Sequence, residues 1–178
     1  MHREIQVGVF LIVSVMWVCP TRSQEIHIRV LNAHNGKPIT NECVNVSLGP
    51  WHGGDLIAPT NKSGVVVLHL ARNEVTADSV SPSSCERTGI LGPKPVPKDS
   101  DTIAITSDEY FDCQEWAKVL PGDTPKNNLN RAPSYRMKEI LESGVVASNR
   151  CGQFKAEAKP GELVFFVRSP TLKEKMQR

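Results

Sequence analysis

The sequence predicts a mainly β protein, a β-sandwich with a long irregular loop and one short helix. Three observations carry this prediction. Short segments alternate apolar and polar residues with the period of two that a half-buried strand requires. Clusters of Gly, Pro, Asn and Ser separate these segments and mark turns. Behind an apolar leader the chain keeps four cysteines, an even number that is typical of an exported domain held by disulfides.

The leader, residues 1–23, is predicted to be a signal peptide. Residues 7–19 form an apolar run behind the basic Arg3. At about 13 residues this run is shorter than the roughly 20 that a membrane-spanning helix needs, and cleavage is expected after Ser23. An uncleaved N-terminal anchor is the alternative. After cleavage, residues 24–178 are expected to form a single secreted or periplasmic domain with no transmembrane segment.

The strands are predicted from the alternation along the domain. In residues 25–33, Ile26, Ile28 and Val30 alternate with polar side chains. The dipeptide Asn35-Gly36 follows, and it predicts a tight hairpin turn that leads into a second strand. This second strand is predicted at residues 43–48, and further strands are predicted at residues 55–58, 65–70, 102–106 and 163–168. The last of them is continuously apolar, so it is expected to be buried on both faces.

Two further features complete the predicted domain. A Ser-, Pro- and Lys-rich stretch from about residue 72 to residue 101 is predicted to be an irregular insertion that is tied down at Cys85. Ser134 is predicted to be the N-cap of a short helix that runs to about Glu142, with Gly144 as its C-terminal stop.

The cysteines of the mature domain, Cys43, Cys85, Cys113 and Cys151, are predicted to form two disulfides. A four-thiolate zinc site is the competing interpretation, but no pair of these cysteines has the close spacing that lets one turn present two ligands. Four cysteines allow three connectivities, which the sequence alone does not decide. Pairing in sequence order, Cys43 with Cys85 and Cys113 with Cys151, is preferred because it closes loops of moderate length.

The first part of the domain resembles the start of a carboxypeptidase-regulatory-like or prealbumin-like β-sandwich. The residues that carry the resemblance are Ile26-x-Ile-x-Val, Asn35-Gly36-Lys37-Pro38-Ile39, Val44-x-Val and Thr60-x-x-x-Gly64-x-Val-x-Leu68. The likeness ends after Leu70, because the long loop and the helix have no place in the minimal sandwich. The C-terminal segments 139–152 and 160–168 resemble short exported bacterial proteins of uncharacterised activity. These resemblances imply an exported β architecture and no particular activity.

An immunoglobulin-like sandwich is the structural alternative. It rests on Tyr110 before Cys113 and on Trp51 after Cys43. The spacings differ from those of that fold, in which a tyrosine lies two residues before the second cysteine.

Charge and motifs argue against several functions. The chain has 21 basic and 19 acidic residues, so no nucleic-acid partner is expected. The sequence contains no nucleophile elbow, zinc-protease motif or phosphate-binding glycine loop. His27 and His69 lie on predicted strands, but spacing places no third ligand beside them, so neither a metal nor a cofactor is predicted.

The candidate functional residues lie in or beside loops. Trp51, His52, Asp55 and Trp116 are possible ligand-binding residues, since the two tryptophans could present an aromatic platform to a sugar. The sequence therefore predicts an exported, non-enzymatic binding, accessory or structural module of the cell envelope, with a protein or carbohydrate partner. The alternative is a secreted hydrolase-like enzyme in which His52 and Asp55 act as base and orienter.

Overall fold

The computed structural model describes residues 24–48, 55–72, 74–78, 85, 96–97, 101–107, 109–114 and 133–176. The described residues form strands and two short helices. In chain order these elements are β1 (Gln24–Asn32), β2 (Cys43–Leu48), β3 (Asp55–Pro59), β4 (Val65–Leu70), β5 (Glu74–Ala77), β6 (Val96–Pro97), β7 (Thr102–Ser107), β8 (Phe111–Asp112), β9 (Ser134–Arg136), α1 (Met137–Ser143), β10 (Val145–Val146), β11 (Glu162–Arg168) and α2 (Leu172–Lys175).

The strands form two sheets. The first sheet has the order β10, β11, β1, β4, β5, β6, and β8 pairs with the C-terminal end of β11. The second sheet has the order β3, β2, β7, β9. The pairs β1–β11 and β10–β11 are parallel, and the other described pairs are antiparallel.

The main core lies between the two sheets. Alternate residues of β1, such as Ile26 and Ile28, belong to the same buried cluster as Val44 of β2 and Ile103 of β7. Helix α1 adds Ile140 to this cluster. Because strands of both sheets contribute their inward-facing residues to one core, the fold is a β-sandwich, as the period-two alternation predicts.

Strand β11 is buried on both faces, which confirms the prediction from its continuous apolar run. Phe165 faces the main core, whereas Phe166 belongs to a second buried cluster with Leu31 and Val164. Residues 149–159, which we call the strap, cover this outer face, and Phe154 of the strap packs against the second cluster. The strap therefore acts as a partial third layer over the first sheet.

Both disulfides are present, and they follow the preferred order. Cys43 is bonded to Cys85, and Cys113 is bonded to Cys151. The second bond ties the strap to the residue that follows β8. Within the described residues, no helix is both long and apolar enough to cross a membrane.

Three local predictions need correction. Gly36 does form a turn, with φ of 70°, but the turn leads only to a single bridge between Leu31 and Pro38, and β2 then joins the other sheet. The prediction of a hairpin between β1 and β2 was wrong, because β1 pairs instead with β4 and β11. The predicted irregular insertion contains β5 and β6.

The start of the helix also differs from the prediction. Ser134 is not an N-cap, because it pairs with Ala104 in β9, and α1 begins at Met137 without a side-chain cap. Gly144 ends the helix as predicted, and its N–H donates to the carbonyl of Ile140. A single further turn of helix, α2, follows β11.

Candidate functional site

The loop residues singled out in the sequence are largely outside the described residues. Trp51, His52 and Trp116 lie outside them, while Asp55 begins β3 at the edge of the second sheet. The pairing of His52 with Asp55 and the aromatic platform therefore stay predictions.

Two histidines meet acidic residues on the outer face of the first sheet. His69 Nε2 lies 2.6 Å from Asp78 Oδ1, and His69 Nδ1 lies 3.3 Å from Glu25 Oε1. The other oxygen of Glu25 lies 3.5 Å from His27 Nε2. The hydrogen bond to Asp78 raises the pKa of His69, because the carboxylates on both sides of the ring favour the imidazolium.

Strand pairing places the members of this cluster side by side. Glu25 of β1 is directly opposite His69 of β4, and the N–H of Asp78 donates to the carbonyl of Val67 after β5. Within the described part of the chain, no group of three or more His, Cys, Asp or Glu side chains is arranged to hold a metal ion. The cluster is best described as an ion-pair network across three strands.

A buried carboxyl group lies at the end of the second sheet where β2 begins and where β3 and β7 end. Glu42 is only 2% exposed, and its Oε1 accepts hydrogen bonds from the Ser107 hydroxyl at 2.5 Å and the Glu109 N–H at 2.9 Å. Its own N–H donates to the hydroxyl of Thr60. Burial raises the pKa of Glu42. These contacts fix the turn after β7, so the role of Glu42 is structural.

A second polar network includes Gln114, the residue after Cys113, whose disulfide partner Cys151 lies in the strap. The Tyr135 hydroxyl donates to Gln114 Oε1 at 2.7 Å, and Gln114 Nε2 donates to the carbonyl of Ile105 at 2.7 Å. Burial raises the pKa of Tyr135 to about 12. The phenol therefore stays neutral and serves as a hydrogen-bond donor inside the fold.

The strap is fixed to the sheet at several points. Asn149 Nδ2 donates to the carbonyls of Ala33 and Phe154, and its Oδ1 accepts from the N–H of Gly152. A Cβ at Gly152 would overlap the carbonyl of Ala33, and a Cβ at Gly36 would overlap the ring of Phe154. Both positions require glycine, because the strap and the turn after β1 are too close together at these points to leave room for a side chain.

The middle of the strap has the form of a strand, and no described segment of the chain pairs with it. Along residues 153–159 exposed and partly buried positions alternate, with Phe154, Ala156 and Ala158 turned towards the second cluster. The carbonyls of Phe154 and Glu157 accept side-chain hydrogen bonds. Among the described residues, however, no hydrogen-bond acceptor meets the N–H groups of residues 153–158.

A groove lies beside this unpaired segment. It is lined by Val146 and Ala147, by Asn149, by residues 152–156 and by the buried Phe166, and its volume is about 570 Å³. Val146 is 41% exposed, which makes it one of the larger apolar side chains at the surface of the described residues. Volumes of this size are typical of ligand-binding clefts.

Basic side chains lie on and beside the strap, and one of them, Lys155, lines the groove. Lys155 and Lys159 are exposed on the outward side of the strap, on either side of the exposed Glu157. Arg29 lies beneath, and its guanidinium donates to the carbonyl of Glu157 and approaches Glu162 at 3.4 Å. The outward side of the strap thus presents the order positive, negative, positive.

Sequence reasoning missed the strap, although a signal for it exists. Residues 153–159 alternate polar residues with Phe154, Ala156 and Ala158. Alanine is a poor strand former, so this period of two does not stand out from loop sequence. The disulfide at Cys151 and the glycines that fit the strap to the sheet become visible only in three dimensions.

Comparisons with models of protein families, with curated proteins and with solved structures found no match for this chain. The resemblance to carboxypeptidase-regulatory-like or prealbumin-like domains stays a prediction.

Proposed function

We propose that the protein is an exported, non-enzymatic binding module that holds a protein partner in the groove, at the cell surface or in the periplasm. The observation that carries this proposal is the groove itself, because an apolar cleft lies directly beside an extended backbone whose N–H groups have no acceptor among the described residues. Exposed apolar surface next to unmet hydrogen-bonding groups is typical of an interaction site.

The compartment is supported by the disulfides. Both bonds join residues far apart in the sequence, at separations of 42 and 38 positions. Such structural disulfides persist in oxidising compartments. Together with the apolar leader, they support export through a cleaved signal peptide.

A recognition role fits the groove better than catalysis. Of the described residues that line it, Lys155 alone has an ionisable side chain, and that side chain is exposed. General acid–base catalysis needs a proton donor or acceptor placed against the substrate, usually beside a second group that orients it.

A protein partner fits the groove better than a sugar. Sugar sites commonly offer the open face of an aromatic ring. The ring of Phe154 packs on Gly36 and meets Phe166 edge-on, and the guanidinium of Arg168 lies over the ring of Phe111 at 4.0 Å. These rings are therefore engaged within the fold.

The proposal is tested by site-specific photo-crosslinking. The mature domain carries a photoreactive amino acid at Gln153 or, as a control, at the exposed turn residue Lys62, and is irradiated in an extract of its own cell envelope. We expect one cross-linked species from Gln153 that Val146→Glu abolishes and Leu172→Glu leaves unchanged. Equal labelling from Gln153 and Lys62, or labelling that is insensitive to Val146→Glu, would contradict the proposal.

The non-enzymatic part of the proposal has its own test. The purified domain is assayed against ester, peptide and glycoside substrates, with and without divalent metals, alongside His52→Ala. We expect no turnover. Turnover that His52→Ala abolishes would replace the binding module with the hydrolase.

A further inference from the structure

We infer that the groove receives an extended peptide segment of the partner as an added β-strand along residues 153–158, with acidic side chains opposite Lys155 and Lys159. This inference rests on the proposed function and specifies the partner's conformation and charge.

The backbone of the strap is ready for strand addition. Its exposed and partly buried positions alternate with the period of a strand, and the residues that face the sheet hold it flat on the second cluster. The disulfide of Cys151 and the hydrogen bonds of Asn149 hold the preceding residues in place. The strap is therefore preorganised, so a peptide that pairs with it does not have to order it.

Main-chain hydrogen bonds would supply much of the affinity. The N–H groups of residues 153–158 lack acceptors among the described residues. An extended peptide has the same spacing of carbonyls and N–H groups along its backbone as the strap. Its carbonyls can therefore accept from the strap, as in strand addition at an open sheet edge.

The groove then provides side-chain selectivity. Val146, Ala147 and Phe166 form an apolar wall beside the strap. Alternate residues of an added strand point to the same side. We expect small or branched apolar residues at the positions that face this wall.

Charge complementarity determines which side chains we expect on the outward face of the peptide. The outward residues of the strap are Lys155, Glu157 and Lys159, and opposite charges directly across neighbouring strands attract. A peptide with Glu, Gln and Glu at successive outward positions would face the two lysines without placing an acid opposite Glu157. Because this order is symmetrical, it suits either strand direction.

The probe is the capped heptapeptide Val-Glu-Val-Gln-Val-Glu-Val, added to the mature domain with its disulfides intact. Binding is measured by fluorescence anisotropy, and the exchange of backbone amides is followed in parallel. We expect saturable binding together with slower amide exchange at alternate residues of 153–158, because successive N–H groups of a strand point to opposite edges and an added strand pairs with one edge. Binding without that protection, or no binding, would overturn the inference.

Two peptide isomers test the backbone pairing. In one the amides of the last three Val residues are N-methylated, and in the other the amides of the two Glu residues and the Gln. Since amides alternate between the two edges of a strand, one isomer should bind about tenfold more weakly or worse and the other should bind like the parent. Equal affinity of the two isomers would contradict strand addition.

A charge exchange tests the acidic preference. Lys155→Glu should weaken the parent peptide about two- to fivefold and strengthen a version with Lys in place of Glu, whereas Lys62→Glu should change neither affinity. If Gln153 cross-links a partner but the peptide tests fail, the strand-addition inference is wrong and the proposed function stands. If the cross-linking fails as well, both fall.

Discussion

The ring of His69 is held between two carboxylates, and this makes stability depend on pH. The hydrogen bond with Asp78 raises the pKa of His69 in the folded state. The stabilisation is therefore complete below the unfolded pKa of about 6.5 and is lost as the pH rises through the higher folded value. Glu25 contacts the same ring, and its other carboxylate oxygen contacts His27, so both residues belong to the same network.

We expect His69→Gln to remove part of the fall in unfolding free energy that the wild type shows from mildly acidic to mildly alkaline pH. Urea denaturation at a series of pH values measures this change. The exposed His34→Gln serves as the matched control and should keep the wild-type profile. An unchanged profile in His69→Gln would show that the contacts with Asp78 and Glu25 do not contribute to stability.

Glu42 also acts at the scale of one residue. Replacing it with Ala leaves the Ser107 hydroxyl and the Glu109 N–H without this acceptor at a partly buried site. We expect Glu42→Ala to lower the free energy of unfolding by about 1–3 kcal/mol. Glu42→Gln should cost less, because burial raises the pKa of Glu42 and an uncharged amide keeps the acceptor. Equal losses in the two variants, measured by denaturant unfolding, would argue against this role.

At the scale of elements, the strap depends on close contact with β1. A methyl group at Gly152 would overlap the carbonyl of Ala33, so the strap must shift to admit it. We expect Gly152→Ala to lower the free energy of unfolding by about 1–3 kcal/mol, as overpacking does. Lys155→Ala, exposed on the same strap, should change it by less than about 0.5 kcal/mol. Chemical denaturation of the two variants compares them, and similar values would contradict the close fit.

The elements show which parts of the fold a sequence can predict. The bounds of β2 and β4 were predicted correctly, because alternation depends only on residues close together in the chain. The turn at Gly36 was predicted, but the strand that follows it was assigned to the wrong partner. Ser134 is of a residue type favoured at N-caps, but it is recruited into β9 by pairing with β7. These errors concern contacts between residues far apart, which local patterns do not contain.

The candidate site was less predictable than the fold. The groove combines Val146, the strap and Phe166, which come from three separate elements. No one of these segments carries a recognisable motif. The disulfide from Cys113 to Cys151 was preferred from sequence order. The sequence does not show that this bond fixes a segment over β11, because that depends on the arrangement of the whole sheet.

At the scale of the whole molecule, the two disulfides should contribute independently, since they join different places. Cys43–Cys85 connects β2 of the second sheet to residue 85, and Cys113–Cys151 attaches the strap to the first sheet. We expect each Cys-to-Ser pair of substitutions to lower the free energy of unfolding by about 2–4 kcal/mol. Thermal or denaturant unfolding measures the loss, and thiol titration of the unreduced, denatured wild type should find no free thiol.

The Cys113→Ser, Cys151→Ser double variant should also accelerate amide exchange in the strap, whereas the other double variant should not. Four titratable thiols in the unreduced wild type, or equal exchange in the strap of both variants, would contradict the assignment of these roles.

The parallel pairing of β1 with β11 has a consequence for the order in which the parts of the fold form. Arg29 of β1 and Glu162 of β11, which approach each other in the folded protein, are 133 positions apart in the chain. A chain is synthesised from its N-terminus, so β1 is made long before the strand that covers one of its edges. Contacts over such distances form slowly, because a long loop must close before they contribute. The sandwich therefore closes only after β11, which covers that edge, has been synthesised.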